Sequence, residues 1–130
     1  MNKVQSMLNG KKVSDIFNEY ASPVIELYMD DAGYNSLDDV SIEEMDRILQ
    51  LPWLIWNAVV AKGKDTIDYL GSVTLLTKQA PIEIKEFIKF MRKRKEIKFK
   101  KYNFFLGEVR LNRNINNGQI IMTVEALIPL

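Results

Sequence analysis

The chain has 130 residues, 47% hydrophobic and 27% charged, with no cysteine and no histidine. That composition fits one globular domain, and it excludes disulfides, Ser–His and Cys–His nucleophile pairs and the usual ligands of zinc, copper, haem and iron–sulfur centres. The net charge of +1 conceals a lengthwise division: residues 1–70 carry six Lys/Arg against twelve Asp/Glu, and residues 71–130 carry twelve against five.

The first ten residues lack periodicity and end in Asn9-Gly10, which reads as a loose lead-in or a short helical turn. Ser14 is placed as an N-cap ahead of an apolar stripe of Ile16, Phe17 and Tyr20. Ser22-Pro23 reads as a fresh helix start, with Pro at the first helical position, and that helix should stop at Gly33. Asp30 and Asp31 then fall in its last turn, where the macrodipole disfavours negative charge.

Residues 35–40 form a polar loop, and Ser41-Ile-Glu-Glu44 is a capping box for a helix with Met45, Ile48 and Leu49 on one face. Pro52 marks a break or a new first turn, after which Trp53 to Ala61 is apolar all round, as in a central helix. The stretch 51–61, interrupted by Pro52 and Asn57, is about half the length of a membrane span. Residues 66–77 support either a helix or a strand.

Ala80-Pro81 opens an amphipathic helix with Ile84, Phe87, Ile88 and Met91 on one face and Lys85, Lys89, Arg92 and Lys93 on the other. Extending it would put Lys95 in the middle of the apolar face, so it should end near Arg94. Alternation of Ile97 and Phe99 with Lys98 and Lys100 then suggests a strand within residues 97–105. Asn117-Gly118 signals a two-residue hairpin turn, pairing Ile115 with Ile120, Leu111 with Val124 and Arg110 with Glu125, with Arg113 opposite Met122. The expected fold is a single α+β domain spanning 1–130, about four to five N-terminal helices packed on a C-terminal antiparallel sheet of two to three strands.

Eight of the thirteen residues from Lys89 to Lys101 are Lys or Arg. Lys85, Lys89, Arg92, Lys93, Lys98, Lys100 and Lys101 are the candidate anion-binding set: their charges can neutralise phosphates, and neighbouring Phe99, Tyr102, Phe104 and Phe105 can stack on bases if exposed. The competing reading is a solvated helix face running into a lysine-protected edge strand. A second candidate is the acidic surface of Asp30, Asp31, Asp38 and Asp39. Its spacing fails the calcium-loop template, with Ser36 where Gly is needed and Ile42 where the terminal Glu belongs. Trp53, Trp56 and Asn57 fit core packing better than a ligand pocket.

These features suggest a non-catalytic cytoplasmic domain without cofactor or metal, binding an anionic partner, nucleic acid first. The alternative is a protein-binding inhibitor or regulator of the immunity or antitoxin type, presenting its acidic half to a basic partner. Self-association, by docking of acidic on basic halves or through a sheet edge, is a third reading.

Overall fold

The computed structural model describes residues 2–5, 7–8, 10–61 and 82–129. The segment 66–77 lies outside them. Among the described residues the architecture is α+β, with three α-helices rather than four to five and an antiparallel region at the C-terminal end.

Helix α1, Val13–Ala32, is one helix where two were expected. It starts after Lys12 with no side-chain cap, so Ser14 lies inside it. Pro23 has no N–H to offer the Glu19 carbonyl one turn back, and a proline here normally breaks a helix. Donors from outside the ladder take over. The Glu19 oxygen accepts from Ser22 Oγ at 2.9 Å and from Arg94 Nη2 at 2.7 Å, while Arg94 Nε donates to the Tyr20 oxygen at 3.1 Å. The helix stops at Gly33, φ 72°, where Gly33 N and Tyr34 N close back on the Asp30 and Met29 oxygens.

A 3-10 turn, Leu37–Asp39, leads to α2, Ile42–Val60. The capping box forms with both arms: Glu44 N donates to Ser41 Oγ at 3.0 Å and Ser41 N to Glu44 Oε1 at 3.1 Å. Pro52 is buried within α2 and does not divide it. The second half of the helix is held in line by three side chains that bond the backbone of residues 104–107. Trp56 Nε1 donates to Phe104 O and Trp53 Nε1 to Gly107 O, both at 2.9 Å. Asn57 bonds Leu106 in both directions, accepting its N–H at 2.8 Å and donating to its oxygen at 3.3 Å. Core packing therefore absorbs both tryptophans and Asn57.

Helix α3, Ile82–Ile97, runs three residues past the expected stop at Arg94. Lys95 does fall on the buried face, 3% exposed. Its Nζ donates to the Phe99 and Tyr102 oxygens, each at 3.1 Å, and lies 4.4 Å from the Trp56 ring centroid. Carbonyls of the turn beyond the helix and an aromatic face thus receive a charge that the stripe alone would reject. Residues 98–101 form a turn, not a strand. Phe99 turns inward against Tyr20, at 5.4 Å between ring centroids, while Ile97 is 76% exposed.

The first residues, expected as a lead-in or helical turn, are strands. β1, Asn2–Gln5, pairs with the last strand, β7, Ala126–Pro129, whose other edge takes β4, Phe105–Leu106. β2, Met7–Leu8, pairs with β3, Lys11–Lys12. β5, Arg110–Arg113, and β6, Ile120–Thr123, make a separate hairpin.

The hairpin keeps the expected faces but not the expected register. Leu111 is opposite Met122, Arg110 opposite Thr123 and Arg113 opposite Ile120, a slip of two residues. A slip of two leaves every side chain on its own face. The connection between the strands spans six residues, 114–119, in which Asn114 Oδ1 accepts from Asn116 N and Asn117 Oδ1 from Gln119 N, with Gly118 at φ 71°. Ile115 is therefore unpaired and 99% exposed. Arg113 anchors the loop, donating to the Gly118 and Val40 oxygens at 2.8 Å each.

The core centres on Phe17, Tyr20, Trp56, Phe99 and Phe104, whose edge and tilted ring contacts contribute about 0.5–1.5 kcal/mol per pair beyond area burial. Tyr20 OH donates to Met91 O at 3.0 Å, tying α1 to α3, and burial pushes its phenol pKa up.

Candidate anion-binding surface

A helix that buries one stripe must turn its remaining residues outward, and α3 does so with Lys89, Lys93 and Glu96 exposed beside the inward Met91 and Lys95. The turn after it repeats the division at shorter range. Burying Phe99 forces its neighbours Lys98 and Lys100 into solvent, and Lys101 follows with its ammonium 5.1 Å from the Tyr102 ring. Five lysines, Lys89, Lys93, Lys98, Lys100 and Lys101, are thus exposed along the end of one helix and the adjoining turn. Cations after a helix C-terminus also face the negative end of its macrodipole, which stabilises part of this run locally.

The structure separates the remaining basic residues by use. Arg92 is half-buried and approaches Glu96 at 4.0 Å. Arg94 and Lys95 serve the fold, the first through the Glu19 and Tyr20 carbonyls and the second through the Phe99 and Tyr102 carbonyls. Lys85 lies on α3, with its side chain outside the described set. Among the described residues, no ion pair joins the five exposed lysines to an acid.

The four aromatics that neighbour these lysines in sequence are not freely exposed. Phe99 and Phe104 are buried, and Tyr102 and Phe105 are half-buried. Phe90, which the stripe assignment passed over, is 49% exposed between Lys89 and Lys93 and stacks on Phe87 at 5.8 Å. A helical wheel carries the signal for it: one residue from Met91 is 100° of rotation, enough to take Phe90 off the buried stripe.

The acidic residues occupy a different part of the surface. Asp30 and Asp31 end α1, and Asp38 and Asp39 belong to the 3-10 turn; all four are exposed. Among the described residues no three acids gather at metal-holding distance. Glu44 has a structural task beyond its capping box, accepting from Tyr28 OH at 2.7 Å and Tyr34 OH at 2.9 Å. The Tyr28 hydroxyl, the Ser41 N–H and the Tyr34 hydroxyl pull its pKa down to about 2, and the same bonds push both tyrosines up. No ion pair links the four aspartates to the lysine surface among the described residues, so the two charged regions do not neutralise each other by direct pairing.

No described helix is long and apolar enough to cross a membrane. Comparison of the chain with protein-family models, curated proteins and solved structures finds no match.

Proposed function

We propose that this protein binds a polyanion, nucleic acid first, along the outer face of α3 and the turn that follows it. The observation that supports this reading is the division of labour within the basic run. Arg94 and Lys95 satisfy internal carbonyls, while Lys89, Lys93, Lys98, Lys100 and Lys101 are exposed without an acid partner among the described residues. Lys85 and Arg92 extend the proposed surface along α3. Binding is electrostatic in the main, because the residues presented are lysines and no groove-reading motif accompanies them. Phe90 adds a face on which an unpaired base can stack, which favours a single strand over a duplex.

The test is anisotropy titration of a labelled single strand and a labelled duplex, at low and at physiological salt. Binding of both at low salt, tighter for the single strand and weakening as salt rises, is the expected result. No binding at low salt overturns the proposal.

A second reading, a non-catalytic inhibitor or regulator of a basic protein, draws on Asp30 and Asp31. Both are exposed in the last turn of α1, which contains no basic residue and where helix electrostatics oppose them. Asp38 and Asp39 continue that surface. Copurification of a basic partner, lost on neutralising these four residues, would support this reading over the first.

A further inference from the structure

A cleft of about 630 Å³ lies between α1 and the β5–β6 hairpin. Buried Ile25, Met45 and Leu49 with half-buried Leu111 give it an apolar floor, and the exposed Asp15, Asp38 and Lys12 are the charged residues that line it. Both aspartates are exposed and neither is ion-paired among the described residues.

The wall opposite α1 is strand β6. Four consecutive residues, Gln119 to Met122, line the cleft. Side chains alternate along a strand, so an unbroken run of lining residues brings both faces of β6 to the cleft, and Leu111, opposite Met122 on β5, lines it as well. β5 occupies one edge of β6 and packs on α2, and no strand pairs with the other edge among the described residues. Asn114 N donates to Gln119 O, so by ladder alternation Asn112 and Ile121 form the next hydrogen-bonded pair. The backbone groups of Ile120 and Met122 therefore point away from β5, at the free edge of a strand that lines the cleft.

Exposed strand edges are ordinarily guarded by Lys, Pro or a bulge. β5 has Arg110 and Arg113, whereas β6 reads Ile120-Ile121-Met122-Thr123, without a charge or a proline. An unguarded edge beside an apolar floor, with two exposed aspartates against one lysine among the lining residues, is complementary to a particular occupant. We infer that the cleft binds an extended segment of a partner protein in which apolar residues alternate with Lys or Arg, added as a third strand on β6. The apolar residues enter the floor and the cationic ones face Asp15 and Asp38, while main-chain bonds to Ile120 and Met122 supply register.

This inference is independent of the lysine surface, and its test uses separate variants. The probe is a capped peptide of alternating Val and Lys, followed by amide chemical shifts of the protein. The expected result is saturable binding below about 1 mM, with the largest shifts at Ile120 and Met122. Methylating the peptide nitrogens on one edge should weaken binding roughly tenfold, since it removes strand pairing and keeps the charge. Asp15→Asn with Asp38→Asn should weaken it severalfold, and both changes lie on the surface, so the fold is retained. Lys98→Ala with Lys100→Ala should leave it unchanged. No saturable binding, equal binding of the methylated peptide, or shifts confined to residues outside the cleft would overturn the inference.

Discussion

Lys95 Nζ lies 4.4 Å from the centroid of the Trp56 ring while donating to two carbonyl oxygens just beyond its own helix. Removing the side chain leaves a void against Trp56 and takes a donor from the Phe99 and Tyr102 carbonyls. Lys95→Ala should therefore cost about 2–4 kcal/mol of stability. Lys95→Met refills the space but cannot donate, and should cost about 1–2 kcal/mol. Urea unfolding of the two variants beside the parent chain checks the order: equal losses would mean that the lost hydrogen bonds alone account for Lys95, and a Met variant as stable as the parent would mean that packing alone does.

The Arg94 guanidinium and Pro23 should be energetically coupled, because one supplies what the other lacks. Arg94 Nη2 reaches the Glu19 oxygen at 2.7 Å, the oxygen that Pro23 leaves without a helical donor. Arg94→Ala should destabilise the protein by about 1–3 kcal/mol. In a Pro23→Ala background residue 23 regains its N–H, and the same Arg94 substitution should cost less. A double-mutant cycle measures the difference, and strict additivity would contradict the coupling.

Features determined by neighbours in sequence were legible before the structure. The Ser41–Glu44 capping box is local and forms as its spacing demands. Gly33 ends α1 because the left-handed conformation there suits glycine. Contributions from distant chain were not legible. Nothing around Lys95 in sequence displays the Trp56 ring, so the charge looked like a helix terminator. Nothing around Pro23 displays Arg94, so the proline looked like a helix start. In the hairpin, period-2 alternation identified the faces, but register depended on how Asn114 and Asn117 bond their own loop. Within the basic run, helical spacing left Arg94 and Lys95 out of the candidate anion-binding set; what it could not show was what they bond, because the Glu19 and Tyr20 carbonyls and the Trp56 ring lie on other elements.

Glu44 makes stability depend on pH at the acid end. Its folded pKa of about 2 lies below the ordinary 4.5, because Tyr28, the Ser41 N–H and Tyr34 all donate to the ionised form. A depressed carboxylate stabilises the fold above its unfolded pKa, and the contribution is lost as pH falls through the folded value. The stability difference between the parent and Glu44→Gln should thus be full above pH 4.5 and shrink toward pH 2. Denaturant midpoints across that window read it directly, and a constant difference would remove Glu44 from the acid response.

The exposed lysines should act on polyanion affinity in proportion to their number, whereas Arg94 and Lys95 act through stability. Each phosphate neutralised contributes a slope of about −0.9 to log K against log salt on duplex DNA and about −0.7 on a single strand. Replacing Lys98, Lys100 and Lys101 singly by Ala should each lower the slope by roughly one contact, with little change in unfolding midpoint because all three are exposed. Phe90→Ala should weaken single-strand binding by about 1–3 kcal/mol while leaving the salt slope and duplex binding intact, since stacking carries no counterions. A salt slope unchanged in all three lysine variants would remove the turn from the contact surface, and equal weakening of strand and duplex by Phe90→Ala would exclude stacking.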